Sequence, residues 1–106
     1  MTFQKDFSVD QGATFSFELS TDDEDWSNTN FRMQIREERD VNSNLLEDLN
    51  NNITVSSNTM SVNVSASNTE SWDWEKGYYD LFMDRENGTT IKLLFGCVKV
   101  NKRVTE

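Results

Sequence analysis

Few residues of this chain have the chemistry of a catalytic centre. It contains no histidine, so the commonest general base and the usual serine and cysteine triads are missing. The single cysteine, Cys97, lies between Gly96 and Val98 in a segment that predicts a strand, which favours a buried structural thiol over a nucleophile. Asp and Glu number 19, and this abundance makes any particular carboxylate pair uninformative. We therefore expect a protein that is not an enzyme.

The most conspicuous charged cluster is the run of four acidic residues from Asp22 to Asp25. Oxygen ligands grouped on a loop suit Ca²⁺, but the run lacks the glycine and the alternating ligand spacing of an EF-hand, and four adjacent acids cannot all face one ion. A solvated loop is the favoured interpretation, with no metal and no cofactor. A second interpretation is contact with a basic surface of a neighbouring protein through Asp22, Asp23 and Asp25.

Large aromatic side chains are the other candidates for a binding role. Trp26, Trp72 and Trp74 lie in segments that predict loops or a short helix, where they either plug the end of a core or anchor an interface. Core plugging is favoured for Trp72. Trp72 and Trp74 cannot both point inward from one helix, so Trp26 and Trp74 are the interface candidates. Phe82 and Leu94 join them, because the strand pattern places both on an outward face.

Composition limits the classes of protein that fit. The net charge of -9 repels nucleic acid and anionic membranes. Hydrophobic residues make up 35%, below the roughly 45–50% of an average domain, which predicts one thin-cored domain over residues 1–106. Because a lone cysteine forms no internal disulfide and Met1 precedes polar residues, we expect folding in a reducing cytoplasm. No apolar run approaches the ~20 residues that span a bilayer.

The clearest structural signal is a long β-hairpin between Gly77 and Val100. Residues alternate in polarity on both sides of Glu86-Asn87-Gly88, which predicts a three-residue turn closed by Gly88 in the left-handed region. A two-residue Asn87-Gly88 turn would mix the two faces. The three-residue turn instead pairs apolar residues with one another, namely Met83 with Ile91, Leu81 with Leu93 and Tyr79 with Phe95.

The rest of the chain also reads as short strands. Period-two alternation predicts strands over residues 3–9, 13–19, 31–35, 53–55 and 60–64, while residues 45–49 fit either an edge strand or a helical turn. Ser67 and Glu70 have capping-box spacing, which predicts a helix of one or two turns. The expected fold is an all-β, antiparallel, immunoglobulin-like sandwich of about seven strands with one short helix.

Several segments together resemble a known family. They are Asp10 to Phe15, Phe31 to Arg36, Trp74 to Leu81, and Leu93 to Val100 with Val104-Thr105. In this order they resemble the small virion structural proteins of tailed bacteriophages, over nearly the whole chain from Phe7 to Thr105. The resemblance implies a non-enzymatic part of a virion, folded in the host cytoplasm before assembly.

The resemblance also implies the partners. They are other virion structural proteins on the tail, neck or capsid, bound by multiple copies of this chain through sheet edges, outward aromatics and the termini at residues 1–4 and 101–106. An alternative stays open, in which a sandwich module binds a carbohydrate or a host-surface molecule through Trp26 or Trp74. Neither function involves nucleic acid or a membrane.

Overall fold

Nine β-strands form two facing sheets in the computed structural model, which describes residues 2–105. One short helix, α1 (Ala66–Glu70), and a 3-10 turn at Asn50–Asn52 lie between strands. Met1 and Glu106, at the termini predicted to contact neighbours, lie outside the described residues. The strands are β1 (Phe3–Gln4), β2 (Phe7–Asp10), β3 (Phe15–Ser20), β4 (Asn30–Arg36), β5 (Leu45–Asp48), β6 (Ile53–Ser56), β7 (Thr59–Val64), β8 (Lys76–Asp84) and β9 (Thr90–Asn101).

The order of strands is that of an immunoglobulin-like sandwich. The larger sheet runs β1-β9-β8-β4-β5, with β2 also pairing with β9, and the smaller sheet runs β3-β7-β6. Pairing is antiparallel except where β1 and β2 lie parallel to β9. The predicted all-β sandwich with one short helix is confirmed. The single strand predicted over residues 3–9 is divided into β1 and β2, and residues 45–49 contain the edge strand β5.

The β8–β9 hairpin has the predicted turn but not the whole predicted register. Gly88 has a φ of 89°, and its N–H donates to the Arg85 carbonyl at 3.0 Å. Met83 pairs with Ile91 as predicted. Beyond Phe82 the register shifts by one residue, so Leu81 pairs with Leu94 and Tyr79 with Gly96, and the predicted Leu81–Leu93 and Tyr79–Phe95 pairs are wrong.

A β-bulge at Leu93 causes this shift. Phe82 pairs with Lys92 and Leu81 with Leu94, which leaves Leu93 as the extra residue on β9. The bulge has a physical reason, because near the turn the odd-numbered Ile91 faces inward, whereas further along the even-numbered Leu94 and Val98 do. One inserted residue lets both sets of apolar side chains reach the core.

The core lies between the two sheets and is closed at its ends by tryptophan. Leu81 and Ile35 are fully buried in the larger sheet, as are Met60 and Val62 in the smaller one. Trp72 is 1% exposed just after α1, as predicted for a core plug. Burying each of these side chains contributes on the order of 1.5–3 kcal/mol, so the sandwich is held mainly by its central strands.

Helix α1 begins two residues earlier than the predicted capping box. Ser65, not Ser67, is the N-cap, and its side chain accepts from the Asn68 N–H at 3.3 Å. The buried Thr69 donates its hydroxyl to the Ala13 carbonyl at 2.7 Å, which attaches the helix to the start of β3. Glu70 forms an ion pair with Arg103 instead of capping the helix.

Candidate interaction surface on the larger sheet

Trp26, predicted as an interface residue, is buried. Its side chain is 5% exposed and meets the ring of Phe31 edge-on, with the ring centroids 5.3 Å apart. Its backbone N–H donates to the Ser57 carbonyl at 2.7 Å, which draws the loop over the end of the core. The indole N–H has no hydrogen-bond partner among the described residues. Trp26 therefore plugs the core, and the prediction of an exposed ring is wrong.

Trp74 is only half-buried, yet its ring is largely engaged within the chain. It stacks on Trp72 with centroids 5.3 Å apart, and its indole N–H donates to a carboxylate oxygen of Glu47 at 3.2 Å. Burial raises the pKa of Glu47 above its ordinary value, while the Trp74 hydrogen bond acts in the opposite direction. The ring and its N–H are therefore partly occupied within the chain, which reduces what Trp74 can offer to an outside contact.

The two predicted hairpin residues lie on opposite faces. Phe82 is half-buried on the outer face of β8, where it was predicted. Leu94 is 7% exposed and points into the core, because the bulge at Leu93 reverses the faces of β9 beyond it. The predicted outward position of Leu94 is therefore wrong.

The acidic loop is exposed and partly organised by its own hydrogen bonds. Asp25 accepts from the Ser27 N–H at 3.0 Å and from its hydroxyl at 2.7 Å, which holds the pKa of Asp25 below its ordinary value. Glu24 pairs with Arg85 at 2.6 Å, which leaves Asp22 and Asp23 without an ion pair within residues 2–105. In the same part of the chain, no three His, Cys, Asp or Glu side chains come together as they would around a metal ion.

The feature that the sequence did not predict is a groove on the outer face of the larger sheet. Strands β4, β8 and β9 form its floor, and the loop of residues 37–44 forms one wall. It encloses about 490 Å³. We call it the outer groove and define it by Arg32, Arg36, Arg39, Tyr78, Phe82 and Phe95.

Aromatic rings and cations alternate across the outer groove. The Arg39 guanidinium lies 4.6 Å from the Tyr78 ring centroid and 5.9 Å from that of Phe95. The Arg32 guanidinium lies 5.1 Å from the Phe82 ring centroid. Each such contact contributes about 0.5–1 kcal/mol at an exposed site. These contacts help to hold both guanidinium groups in place, and the N–H groups of Arg39 have no hydrogen-bond partner among residues 2–105.

The loop that carries Arg39 is itself ordered. Arg36 donates to the Ser43 carbonyl at 2.8 Å, and Asp40 accepts from the Asn42 N–H at 2.9 Å. The Ser43 hydroxyl donates to the Asp40 carbonyl at 2.7 Å. These bonds fold the loop back toward the sheet and hold Arg39 above Tyr78, so the groove wall is built before any partner arrives.

The cations of the groove differ in how far they are neutralised. Arg32 forms a two-bond ion pair with Asp84 at 2.6 and 3.1 Å, which holds the pKa of Asp84 below its ordinary value. Arg36 donates only to the Ser43 carbonyl and the Gln34 side chain, and within residues 2–105 Arg39 has no hydrogen bond or ion pair. The Tyr78 end of the groove therefore holds two guanidinium groups that form no ion pair within this range, although the pKa of Asp6 is lowered by the hydrogen bond from the Cys97 N–H and, to a smaller extent, by the charge of Arg39.

The smaller sheet presents a very different outer face. Its outward side chains are small and polar and include no aromatic ring, namely Ser16, Glu18, Thr54, Ser56, Ser61 and Asn63. The aromatic surface left outside the core is thus concentrated on the larger sheet. Exposed apolar side chains also occur at Phe3 (59%) on β1 and Val41 (76%) in the groove wall.

The chemistry of the groove is that of recognition. Planar guanidinium donors bind carboxylates through paired hydrogen bonds, and aromatic faces bind apolar or cationic groups.

No helix among the described residues is long and apolar enough to cross a membrane. No protein-family model matches the chain, and no curated protein matches it in sequence.

Proposed function

We propose that this chain is a non-enzymatic structural component of a bacteriophage virion, which assembles on tail, neck or capsid proteins in multiple copies. The outer groove is its principal contact surface, and the sheet edges and termini add to it. The resemblance of residues 7–105 to small virion proteins is the reason for proposing a virion as the assembly. The groove supplies the surface through which such a protein would attach.

The observation that carries the proposal is the difference between the two outer faces. An isolated sandwich needs polar residues on both faces, and the smaller sheet has them. The larger sheet instead exposes parts of Tyr78, Phe82 and Phe95 beside arginine, the residue types enriched at the centres of protein interfaces. A stable interface needs about 800 Å² from each partner, so a contact would have to extend from the groove to neighbouring strands.

The carbohydrate-binding alternative has less support. Sugar stacking requires an accessible aromatic ring, and Trp26 is buried whereas Trp74 is stacked on Trp72 and bonded to Glu47. A glycan array with the purified protein separates the two functions. Binding to a defined glycan that is lost in Trp74→Ala would favour the alternative.

The proposal is tested on virions of the phage that encodes the chain. Mass spectrometry of particles purified through a density gradient should find the protein at a fixed copy number per particle. Its recovery only from the soluble fraction of infected cells would contradict the proposal.

Two matched variants test the contact surface. Phe82→Glu places a charge on the outer face of the larger sheet, and Asn63→Glu places the same charge on the outer face of β7, the central strand of the smaller one. We expect Phe82→Glu to reduce incorporation into particles at least severalfold, since a buried unpaired charge opposes binding. Asn63→Glu should leave incorporation unchanged. Equal incorporation of both variants would exclude the outer groove as the attachment surface.

A further inference from the structure

The chain carries two oppositely charged surfaces that cannot reach each other within one copy. The acidic loop is tied by the Glu24–Arg85 ion pair to the turn that follows β8. The unneutralised arginines lie beside Tyr78, near the start of β8. Tyr78 and Arg85 are separated by seven steps along the chain, which correspond to about 23 Å at the rise of an extended strand. The two surfaces can therefore meet only between different molecules.

The two surfaces match in chemistry. Asp22 and Asp23 are exposed carboxylates without ion pairs within residues 2–105, and Arg36 and Arg39 are guanidinium groups without carboxylate partners in the same range. A guanidinium edge binds a carboxylate through two parallel hydrogen bonds. Arg39 is already fixed by Tyr78 and Phe95, so less side-chain freedom is lost when it binds.

The other charges do not remove this match. Glu38, Asp40 and Asp80 also line the groove, and Asp6 interacts with Arg39 at longer range, but none of these carboxylates forms an ion pair with Arg36 or Arg39 in the described part of the chain. The net charge of -9 repels a second copy at long range. At physiological ionic strength charges are screened beyond roughly 8 Å, so the local contact decides whether two copies associate.

We propose that this chain self-associates head to tail, with Asp22 and Asp23 of one copy bound to Arg36 and Arg39 in the outer groove of the next. This inference rests on the proposed role of the groove in assembly and names its occupant as a second copy. Because the two contacting surfaces differ, an open chain of copies has a free groove at one end and a free loop at the other. Such a contact forms a ring if the rotation closes and a filament if it does not.

Sedimentation velocity across a range of protein concentrations in 0.15 M salt tests the contact. The weight-average mass of the wild type should rise above the monomer mass of 12.3 kDa as concentration increases. Arg39→Glu replaces a guanidinium of the groove with a carboxylate, and Asp22→Lys with Asp23→Lys reverses the charge of the loop at these two positions. Each variant should weaken association at least tenfold, which corresponds to about 1.4 kcal/mol. Lys99→Glu, with the same charge change as Arg39→Glu at an exposed residue of β9 outside the groove lining, should associate like the wild type.

A mixture of the two variants gives the sharpest result. Arg39→Glu keeps an intact loop, and the Asp22→Lys, Asp23→Lys variant keeps an intact groove, so their equimolar mixture should associate more strongly than either variant alone. In the mixture the unchanged loop meets the unchanged groove, and the reversed loop meets the groove whose charge is reversed at position 39. A chain that carries all three substitutions should regain part of its self-association for the same reason. A wild type that stays monomeric at every concentration, or a mixture that associates no more than the separate variants, would overturn the proposal.

The proposed virion role is judged separately by mass spectrometry of particles. A monomeric protein that is nevertheless found in virions would reject self-association alone. In that case the groove would have a different virion protein as its partner.

Discussion

Replacing Gly96 with alanine tests how the N-terminal segment is held on the larger sheet. Gly96 is buried on β9, and the link between β1 and β2 passes directly over it. A Cβ added here would lie 2.2 Å from the Lys5 carbonyl oxygen and 2.7 Å from a carboxylate oxygen of Asp6. Both distances are well inside van der Waals contact. Because the nearer atom belongs to the backbone, the link itself would have to move away from the sheet.

The size of the effect follows from the bonds that this movement breaks. The Lys5 N–H donates to the Phe95 carbonyl at 2.9 Å, and the Tyr79 hydroxyl donates to the Lys5 carbonyl at 2.6 Å. The Cys97 N–H donates to Asp6 at 3.0 Å. At about 1 kcal/mol each, their loss would destabilise the fold by about 3 kcal/mol. For a domain of this size that lowers Tm by roughly 12–20 °C.

Urea unfolding followed by tryptophan fluorescence measures this loss, since Trp26 and Trp72 are buried. Tyr79→Phe is the matched control, because it removes only one of the three hydrogen bonds and should destabilise by about 1 kcal/mol. The variant that combines Gly96→Ala with Tyr79→Phe should lose less stability than the sum of the two single losses, since Gly96→Ala already breaks the Tyr79 hydrogen bond. A loss below about 1 kcal/mol for Gly96→Ala, or strict additivity, would refute the reasoning.

Three further predictions concern the turn, the half-buried Glu47 carboxyl and the acidic loop. Gly88→Val should destabilise by about 1–2 kcal/mol in urea through backbone strain alone, because φ is 89° and no atom lies within 4 Å of an added Cβ. Glu47→Gln should gain stability relative to the wild type as pH rises from 4 to 7, because burial raises the pKa of the folded Glu47. Millimolar Ca²⁺ should leave Tm unchanged, because the acidic run lacks a coherent ligand geometry.

Each of these predictions has its own comparison. Gly88→Asn should lose less than Gly88→Val, because asparagine tolerates the left-handed region, and equal losses would contradict the strain argument. The direction of the Glu47 effect follows from the direction of its pKa shift. Because the pKa is raised in the folded state, the wild type loses stability as the carboxyl ionises, whereas glutamine does not titrate. If the difference in stability between Glu47→Gln and the wild type stays constant from pH 4 to 7, the carboxyl has the same pKa in the folded and unfolded states, and the prediction is contradicted. A rise in Tm with Ca²⁺ but not with Mg²⁺ would identify a calcium site.

The sequence predicted local features better than long-range ones. The three-residue turn depended on Gly88 and its neighbours, and it is confirmed. The change of register further along the hairpin depended on which face of β9 meets the core. The adjacent residues Leu93 and Leu94 could have indicated the change of register, because an alternating strand cannot direct two neighbouring side chains to the core without a bulge.

The outer groove could not be predicted because it is assembled from distant segments. The alternation of Arg32 with Met33 indicated an outward face for β4, but not that β4 would lie beside β8. The position of Arg39 above Tyr78 depends on the hydrogen bonds of the loop, which composition does not reveal. Trp26 shows the same limit, since its burial comes from a contact with Phe31 and a loop bond to Ser57.

The parallel pairing of β1 and β2 with β9 has a mechanical consequence. The first and last strands of the domain are neighbours that run in the same direction. If the two ends of the chain are pulled apart along these strands, the strands must slide past each other, and the hydrogen bonds between them are loaded together in shear. Strands peeled apart from one end, by contrast, break their bonds one at a time. Tension between the termini would therefore load the β1–β9 and β2–β9 pairs, from Phe3 beside Leu94 to Asp10 beside Asn101.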